Sequence, residues 1–398
     1  MAKLIEITGK ALSGEWGTDD ETGNGIPVLR TTNFTNEGIV DYSNVVTRNI
    51  VKKGIEEKYL RNGDIIIEKS GGSDKQPVGR VIYFDGPERT YLFNNFTGLL
   101  RVKNQEKWHP RYVFYSLFSN YRSGGTRTFQ NKTTGLHNLK TDDYVSSFNV
   151  TEVDIVTQKA ICKQLDLVNG IIRMRQQQLQ KLDNLVKARF VELFGNPISN
   201  PMKWDIYQLE ECLKRIDNGK SFICSDKPRT GDNPAILKLS AATYGDYRPN
   251  ENKALLDESL FVESSEVHAG DLLFTRKNTP ELVGAAAYVQ NTPPKLMMPD
   301  LIFRLVPNEK VNAVFLWQLI NCKEFRPVIQ AISGGSAKSM SNISKERLGK
   351  IKVICPPREL QDSLIPFVKR VDKSKAVIQK ALDETQLLFD SLMQEYFG

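Results

Sequence analysis

A stretch of 38 residues in this chain returns after a shift of 203, with Gln158 falling on Gln361 and Gly195 on Gly398. The two copies close alike, on KARFVELFG and on FDSLMQEYFG. Steps of four and three residues align Ile161, Leu165, Val168, Ile172, Leu179, Leu182, Val186 and Leu193 in the first copy. The same steps align Leu364, Val368, Val371, Ile378, Leu382, Phe389, Leu392 and Tyr396 in the second. Arg175 and Arg189 interrupt one seam, Lys375 and Thr385 the other. So narrow a stripe buries its side chains well only against another helix of the same kind. Two long helices, 158–195 and 358–398, are therefore expected to pair with each other as an antiparallel coiled coil. Pro356 and Pro357 suit the entry to the second helix, and Pro366 is expected to kink or delay it.

The repeat extends upstream. YLRNGDIIIEKSGG (59–72) matches EVHAGDLLFTRKNT (266–279), each with Gly-Asp, three apolar β-formers and a polar loop. RYVFYSLFSN (111–120) matches NAVFLWQLIN (312–321) as an apolar-anchored helix, and SGGTRTFQNKTTGLHNL matches SGGSAKSMSNI. Strand candidates are IPVLRT, DIIIEK, GRVIYF and GLLRV in one half and PAILKL, DLLFTR, AAAYV and LIFRLV in the other. GNPISNPMKWD (195–205) breaks the chain between the halves. The fold class is thus α+β with a pseudo-two-fold internal repeat. The chain runs as a first globular domain 1–157, a helix 158–195, a second domain 196–357 and a helix 358–398.

A length of 398 residues fits two domains. No apolar run reaches the roughly 18–20 residues of a membrane span, and MAKLIEITGK has no apolar signal core. Cys162, Cys212, Cys224, Cys322 and Cys355 form no C-x-x-C, which reads as reduced thiols in a cytoplasmic protein. Three histidines (His109, His137, His268) argue against a His-rich metal site and against a Ser-His-Asp hydrolase. The net charge of +7 admits a polyanionic partner.

A helix of this length is about 57 Å long at about 1.5 Å per residue. Two domains held apart by such a rod suit DNA half-sites roughly one helical turn apart, about 34–36 Å. Linking them makes the second contact intramolecular. Because the loops differ, the site is expected to be bipartite and asymmetric. Candidate DNA-binding residues come from recurring loops: Lys69, Ser70, Lys75 and Arg80, matched by Arg276 and Lys277. Arg127, Asn131 and Lys132 are matched by Lys338, Ser339 and Asn342. A third pair of loops is 30–38 with 238–247. Their cationic and amide side chains suit phosphates and base edges.

Catalytic signatures are missing. There is no G-x-x-x-x-G-K-[ST], no G-x-G-x-x-G after a strand and no Asp/Asn-Pro-Pro-aromatic tetrapeptide. EEK (56–58) and ENK (251–253) have the E-x-K of a metal nuclease, a triplet that charged loops produce by chance.

This order of motifs resembles the specificity subunits of type I restriction–modification systems. The resemblance is carried by NGDIIIEKSGG and AGDLLFTRKN, GLHNL and MSNIS, VICPPRELQDSLIPFVKRVD and the two helix ends. The opening KWDIYQLEEC is typical of the family, whereas the first half begins at MAKLIEITGK without the tryptophan, and VTEVDIVTQK lacks the Pro-Pro. The resemblance implies two target-recognition domains on double-stranded DNA and a non-catalytic chain. It also implies docking of two methyltransferase subunits that modify adenine at N6 with S-adenosylmethionine, and of restriction subunits that use ATP and Mg. The alternatives are a free-standing bivalent DNA-binding regulator, or an enzyme hidden in one domain around Glu56 or Glu251. The basic face of the first helix (Lys159, Lys163, Arg173, Arg175, Lys181, Lys187, Arg189) reads as solvated surface, with contact to partners or DNA phosphates as the alternative.

Overall fold

The computed structural model describes residues 1–398 except 53, 75, 134–135 and 335–339. It divides into two compact units, Met1–Gln176 with Lys380–Gly398, and Gln177–Gln379. Each contains one α+β body and parts of both long helices, which run Ile155–Phe194 and Arg358–Phe397. The first helix starts three residues before the expected 158, because Asp154 caps it through the amides of Val156 and Thr157 at 2.9 Å each. Pro366 lies inside the second helix and does not delay it.

In the first unit a four-stranded antiparallel sheet has the order Leu12–Ser13, Thr97–Leu100, Ile65–Glu68, Val81–Tyr83. All four residues of Ile65–Glu68 are buried, as a central strand requires. A second sheet orders Thr18–Asp19, Val46–Asn49, Ile26–Leu29 and Leu92–Phe93, its last pair parallel. Ala2–Lys3 pairs with Asn149–Val150 and closes the body. The helix Pro110–Arg122 covers the first sheet with Tyr112, Val113, Phe114, Tyr115, Leu117 and Phe118 buried.

The second unit repeats this plan. Its four-stranded sheet is Leu213–Asn218, Ile302–Pro307, Leu272–Thr275, Ala286–Tyr288. Asn252–Ala254, Ala235–Leu237 and Leu296–Met297 make the second sheet, again with one parallel pair. Asp205–Gln208 pairs with Lys352–Cys355, and the helix Ala313–Asn321 takes the covering place. All eight strands expected from the sequence are present.

The seams pack within each unit. In the first, Leu165, Val168, Ile172 and Phe389 are buried in the core, with Ile161, Leu382, Leu392 and Tyr396 against it. Tyr396 Oη donates to Gln164 Oε1 at 2.7 Å. In the second, Val186, Leu364, Val368 and Val371 are buried and Leu182 and Leu193 pack on them. There Lys375 Nζ meets Asp183 at 2.6 Å, and Arg189 lies 6.0 Å from the Phe367 ring. Partners fall in number on one helix as they rise on the other, so the pairing is antiparallel. Leu179 and Ile378 are half-buried and belong to neither core. The buried face is broader than a two-position seam. Cys162, Asn169, Phe190, Phe194 and Met393 are also buried, because each helix packs on a globular body as well as on its partner.

The shared helix endings have a packing cause. Phe194 stands edge-on to Phe315 at 4.9 Å in the second unit, and Phe397 meets Tyr112 at 5.1 Å in the first. Gly195 follows in the left-handed region (φ 74°), where its amide caps Val191 O at 2.8 Å.

Candidate nucleic-acid interface

Two loops far apart in sequence meet in each unit. In the first, Ser70–Gly72 forms the edge of a three-stranded sheet with Leu136–Leu139 and Gln130–Thr133. Asn138 faces Ser70, Asn131 faces Asn138 and Lys132 faces His137. In the second, Lys277–Asn278 pairs with Ser341–Asn342, Lys277 facing Asn342. The same backbone bonds lead in. Lys69 N donates to Phe96 O at 2.8 Å and Arg276 N to Leu301 O at 3.0 Å. Leu139 N donates to Lys69 O, and Ile343 N to Arg276 O, both at 2.8 Å.

A glycine makes this approach possible in both. Gly79 has φ 106° and Gly284 φ 75°. A Cβ at Gly79 would stand 2.8 Å from Thr126, and one at Gly284 would stand 2.2 Å from Ile329. Each glycine therefore lets the end of the strand hairpin lie on the segment that leads to the second loop.

The third loop joins them. Arg80 Nη1 donates to Phe34 O at 3.1 Å and Nη2 to Thr31 O at 3.2 Å, while Gln76 Nε2 reaches Asn36 Oδ1 at 3.0 Å. In the second unit Asn278 Nδ2 donates to Thr243 Oγ1 at 3.1 Å, both residues buried.

The candidate side chains are not equally free. Arg80 is engaged: its Nε and Nη2 bind Glu68 at 3.1 and 3.0 Å, and Glu68 is buried. That guanidinium positions the 31–34 turn rather than offering a fork to a duplex. Lys69 is half-buried, its Nζ donates to Ser13 Oγ at 3.0 Å, and burial lowers its pKa. Ser70 is half-buried, whereas Arg127 and Asn131 are exposed. Arg276 and Lys277 are half-buried, and Arg276 shares Asn342 Oδ1 through Nε and Nη2 at 3.4 and 3.3 Å. Lys75, Lys338 and Ser339 lie outside the described residues, and of Lys132 only the backbone is described.

Sequence reasoning missed Asn36, Gln76 and Thr243, which join the loops, and Phe303, whose ring lies under Arg276. Thr243 falls in a loop already matched by the repeat, but a hydroxyl in a loop says nothing of its partner. Glu56 pairs with Arg89 at 2.5 Å and Glu251 accepts from Ser240 Oγ at 2.7 Å. Among the described residues no group of three or more His, Cys, Asp or Glu is placed to hold a metal ion. Among them, too, no helix is long and apolar enough to cross a membrane.

Known proteins share this plan. Residues 2–184 match the family described as the type I restriction modification DNA specificity domain. The specificity subunit of the type I restriction enzyme EcoEI of Escherichia coli is 32% identical over 203 residues, 49% of this chain. That match spans only 34% of the relative's length. The putative type I restriction enzyme MjaX specificity subunit of Methanocaldococcus jannaschii is 24% identical over 417 residues, covering 96% of this chain and 89% of that one. In fold, the S subunit of a type I restriction–modification system from M. genitalium superposes with a TM-score of 0.58 at 14% identity. That superposition covers 100% of this chain and 95% of that one.

Proposed function

The chain belongs to the specificity subunits of type I restriction–modification systems, and on that premise we propose that each unit reads one half of a bipartite, asymmetric double-stranded DNA site. One observation carries the reading. The same three loops meet twice, on the same backbone scaffold, with different side chains at corresponding places: Lys69 and Ser70 in one unit, Arg276 and Lys277 in the other. A shared scaffold with divergent tips is what reading two different short sequences requires. The long helices act as the spacer between the half-sites.

On this reading the chain is non-catalytic. It docks two copies of a methyltransferase that modifies adenine at N6, and restriction subunits besides. S-adenosylmethionine, ATP and Mg belong to those partners. A duplicated apolar surface on the helices supports two equivalent docking events. Met174 and Val377 correspond under the repeat and are 56% and 66% exposed; Leu185 and Leu388 correspond and are 47% and 51% exposed. Exposed apolar residues that recur in register favour a protein partner over solvent.

The test is a genome-wide map of methylated adenines in cells with and without this chain. A split motif that disappears with the chain supports the reading. Tight sequence-specific binding by the chain alone, with no methylation and no co-purifying methyltransferase, would favour the free-standing regulator instead.

A further inference from the structure

Arg276 is held on every side but one. Its backbone is fixed by Leu301 O and by the amide of Ile343. Its guanidinium lies 4.9 Å from the centroid of the buried Phe303 ring. One edge, Nε and Nη2, rests on Asn342 Oδ1. Asn342 is itself fixed, bonded to Gly334 in both directions at 2.8 Å and paired with Lys277. Among the described residues Arg276 is in no ion pair, and its side-chain hydrogen bonds leave from Nε and Nη2 only. The plane is thus stacked, one edge is clamped loosely, and among the described residues the far edge meets no partner.

We propose that Arg276 reads a guanine in the half-site bound by the second unit, with Asn342 and Phe303 as its positioning residues. The proposal rests on the reading that this unit binds DNA. A planar fork matches the O6 and N7 acceptors of guanine in the major groove, and a fork already held flat loses less side-chain entropy on binding. A phosphate can also take the fork, but such a contact carries no base sequence, so dependence on one guanine separates the two. The first unit lacks this device. The corresponding residue is Lys69, whose stem crosses Gly98 (a Cβ there would stand 3.2 Å from Lys69 Cδ) and whose amine binds Ser13. The two half-sites therefore differ in how this position is read.

The experiment uses the chain assembled with its methyltransferase and a duplex carrying the mapped motif. Each guanine in turn is replaced by 7-deazaguanine, which lacks the N7 acceptor. One replacement, in one half only, is expected to weaken wild-type binding roughly ten- to a hundredfold. Arg276→Met, which keeps the cover over Phe303, loses the same factor and no longer senses that replacement. Arg276→Lys keeps the charge and the salt dependence but does not restore selectivity. Asn342→Ala lowers the preference for guanine at that position without changing the salt dependence. The proposal is overturned if no 7-deazaguanine matters, if Arg276→Met remains equally sensitive to it, or if the loss is equal on unrelated sequences. Absence of any split motif overturns the DNA reading itself, a result distinct from these.

Discussion

Gln158 and Gln361 make the same three hydrogen bonds in their respective units. Gln158 Oε1 accepts from His109 N at 2.8 Å, and its Nε2 donates to Lys107 O and Val153 O at 3.0 and 2.8 Å. Gln361 Oε1 accepts from Asn312 N at 3.0 Å, and its Nε2 donates to Lys310 O and Pro356 O at 2.9 and 2.7 Å. Each glutamine is fully buried in the first turn or two of a long helix. It satisfies the amide at the start of the covering helix and two carbonyls of the connections around it. The long helix is thereby fixed to its own body by polar geometry, which apolar packing alone does not specify.

Gln361→Ala should therefore cost more than an ordinary hydrogen bond, because it strands the buried Asn312 amide and Pro356 carbonyl, each worth about 1–3 kcal/mol when left unpaired, while Lys310 O keeps Cys355 Sγ. The loss should be local. Amide exchange should accelerate at Asn312 and along Ala313–Asn321 before it changes in the first unit. Gln158→Ala should show the mirror pattern at His109 and Pro110–Arg122. Equal acceleration in both units from either change would contradict this.

Arg80→Ala leaves Glu68 buried and uncompensated, and a broken buried pair costs about 3–5 kcal/mol. Replacing both partners by methionine should recover most of that stability while freeing the 31–34 turn. The double variant is then expected to relax base preference in one half of the motif. The slope of log affinity against log salt should stay at the wild-type value, since Arg80 faces Thr31 and Phe34 carbonyls and not phosphate. A shallower slope would show that Arg80 contacts the DNA backbone after all.

Phe194→Ala should destabilise the second unit by about 3–5 kcal/mol, the range for a buried aromatic. Phe194 is fully buried between Phe190 and Phe315, and its carbonyl also accepts from Trp204 Nε1 at 2.9 Å. Phe397→Ala should cost less, because Phe397 is only partly buried against Tyr112. Chemical denaturation of the two variants, compared with the parent, gives the order.

The architecture was legible because it is written twice. The seam from Ile161 to Leu193 recurs in register, and the Gly-Asp strands recur with it, so chance periodicity could be set aside. What stayed hidden were contacts between residues distant in sequence. Nothing local in RTTNFTNEG says that the Thr31 and Phe34 carbonyls will capture Arg80. A basic residue in a glycine-rich loop looks the same whether its partner is Glu68 or a phosphate. The matching of Lys69 with Arg276 was visible, but the difference between them depends on Gly98 and Ser13 in one unit and Phe303 and Asn342 in the other. Breadth of the helix face was underestimated for a similar reason. Heptad spacing reports the partner helix and is silent about the body that buries Cys162, Phe190 and Met393.

His109 gives the first unit a pH dependence whose sign follows from its surroundings. It precedes the helix Pro110–Arg122, its amide binds Gln158, and its buried Nδ1 has no partner among the described residues. Burial lowers its pKa below the ordinary 6.5, and the nearby Lys159 and Arg111 push it the same way against Asp166. A positive charge at a helix N-terminus is also unfavourable. The unfolded chain thus binds a proton that the folded chain resists. Stability from this group is fully present above about pH 6.5 and is lost as pH falls through the unfolded value toward the lower folded one. His109→Gln removes the titration while keeping a polar side chain. The parent is expected to lose melting temperature between pH 7.5 and 5.5 by more than the variant does. If the two fall in parallel, the folded chain takes up this proton as readily as the unfolded one, and burial does not resist the charge.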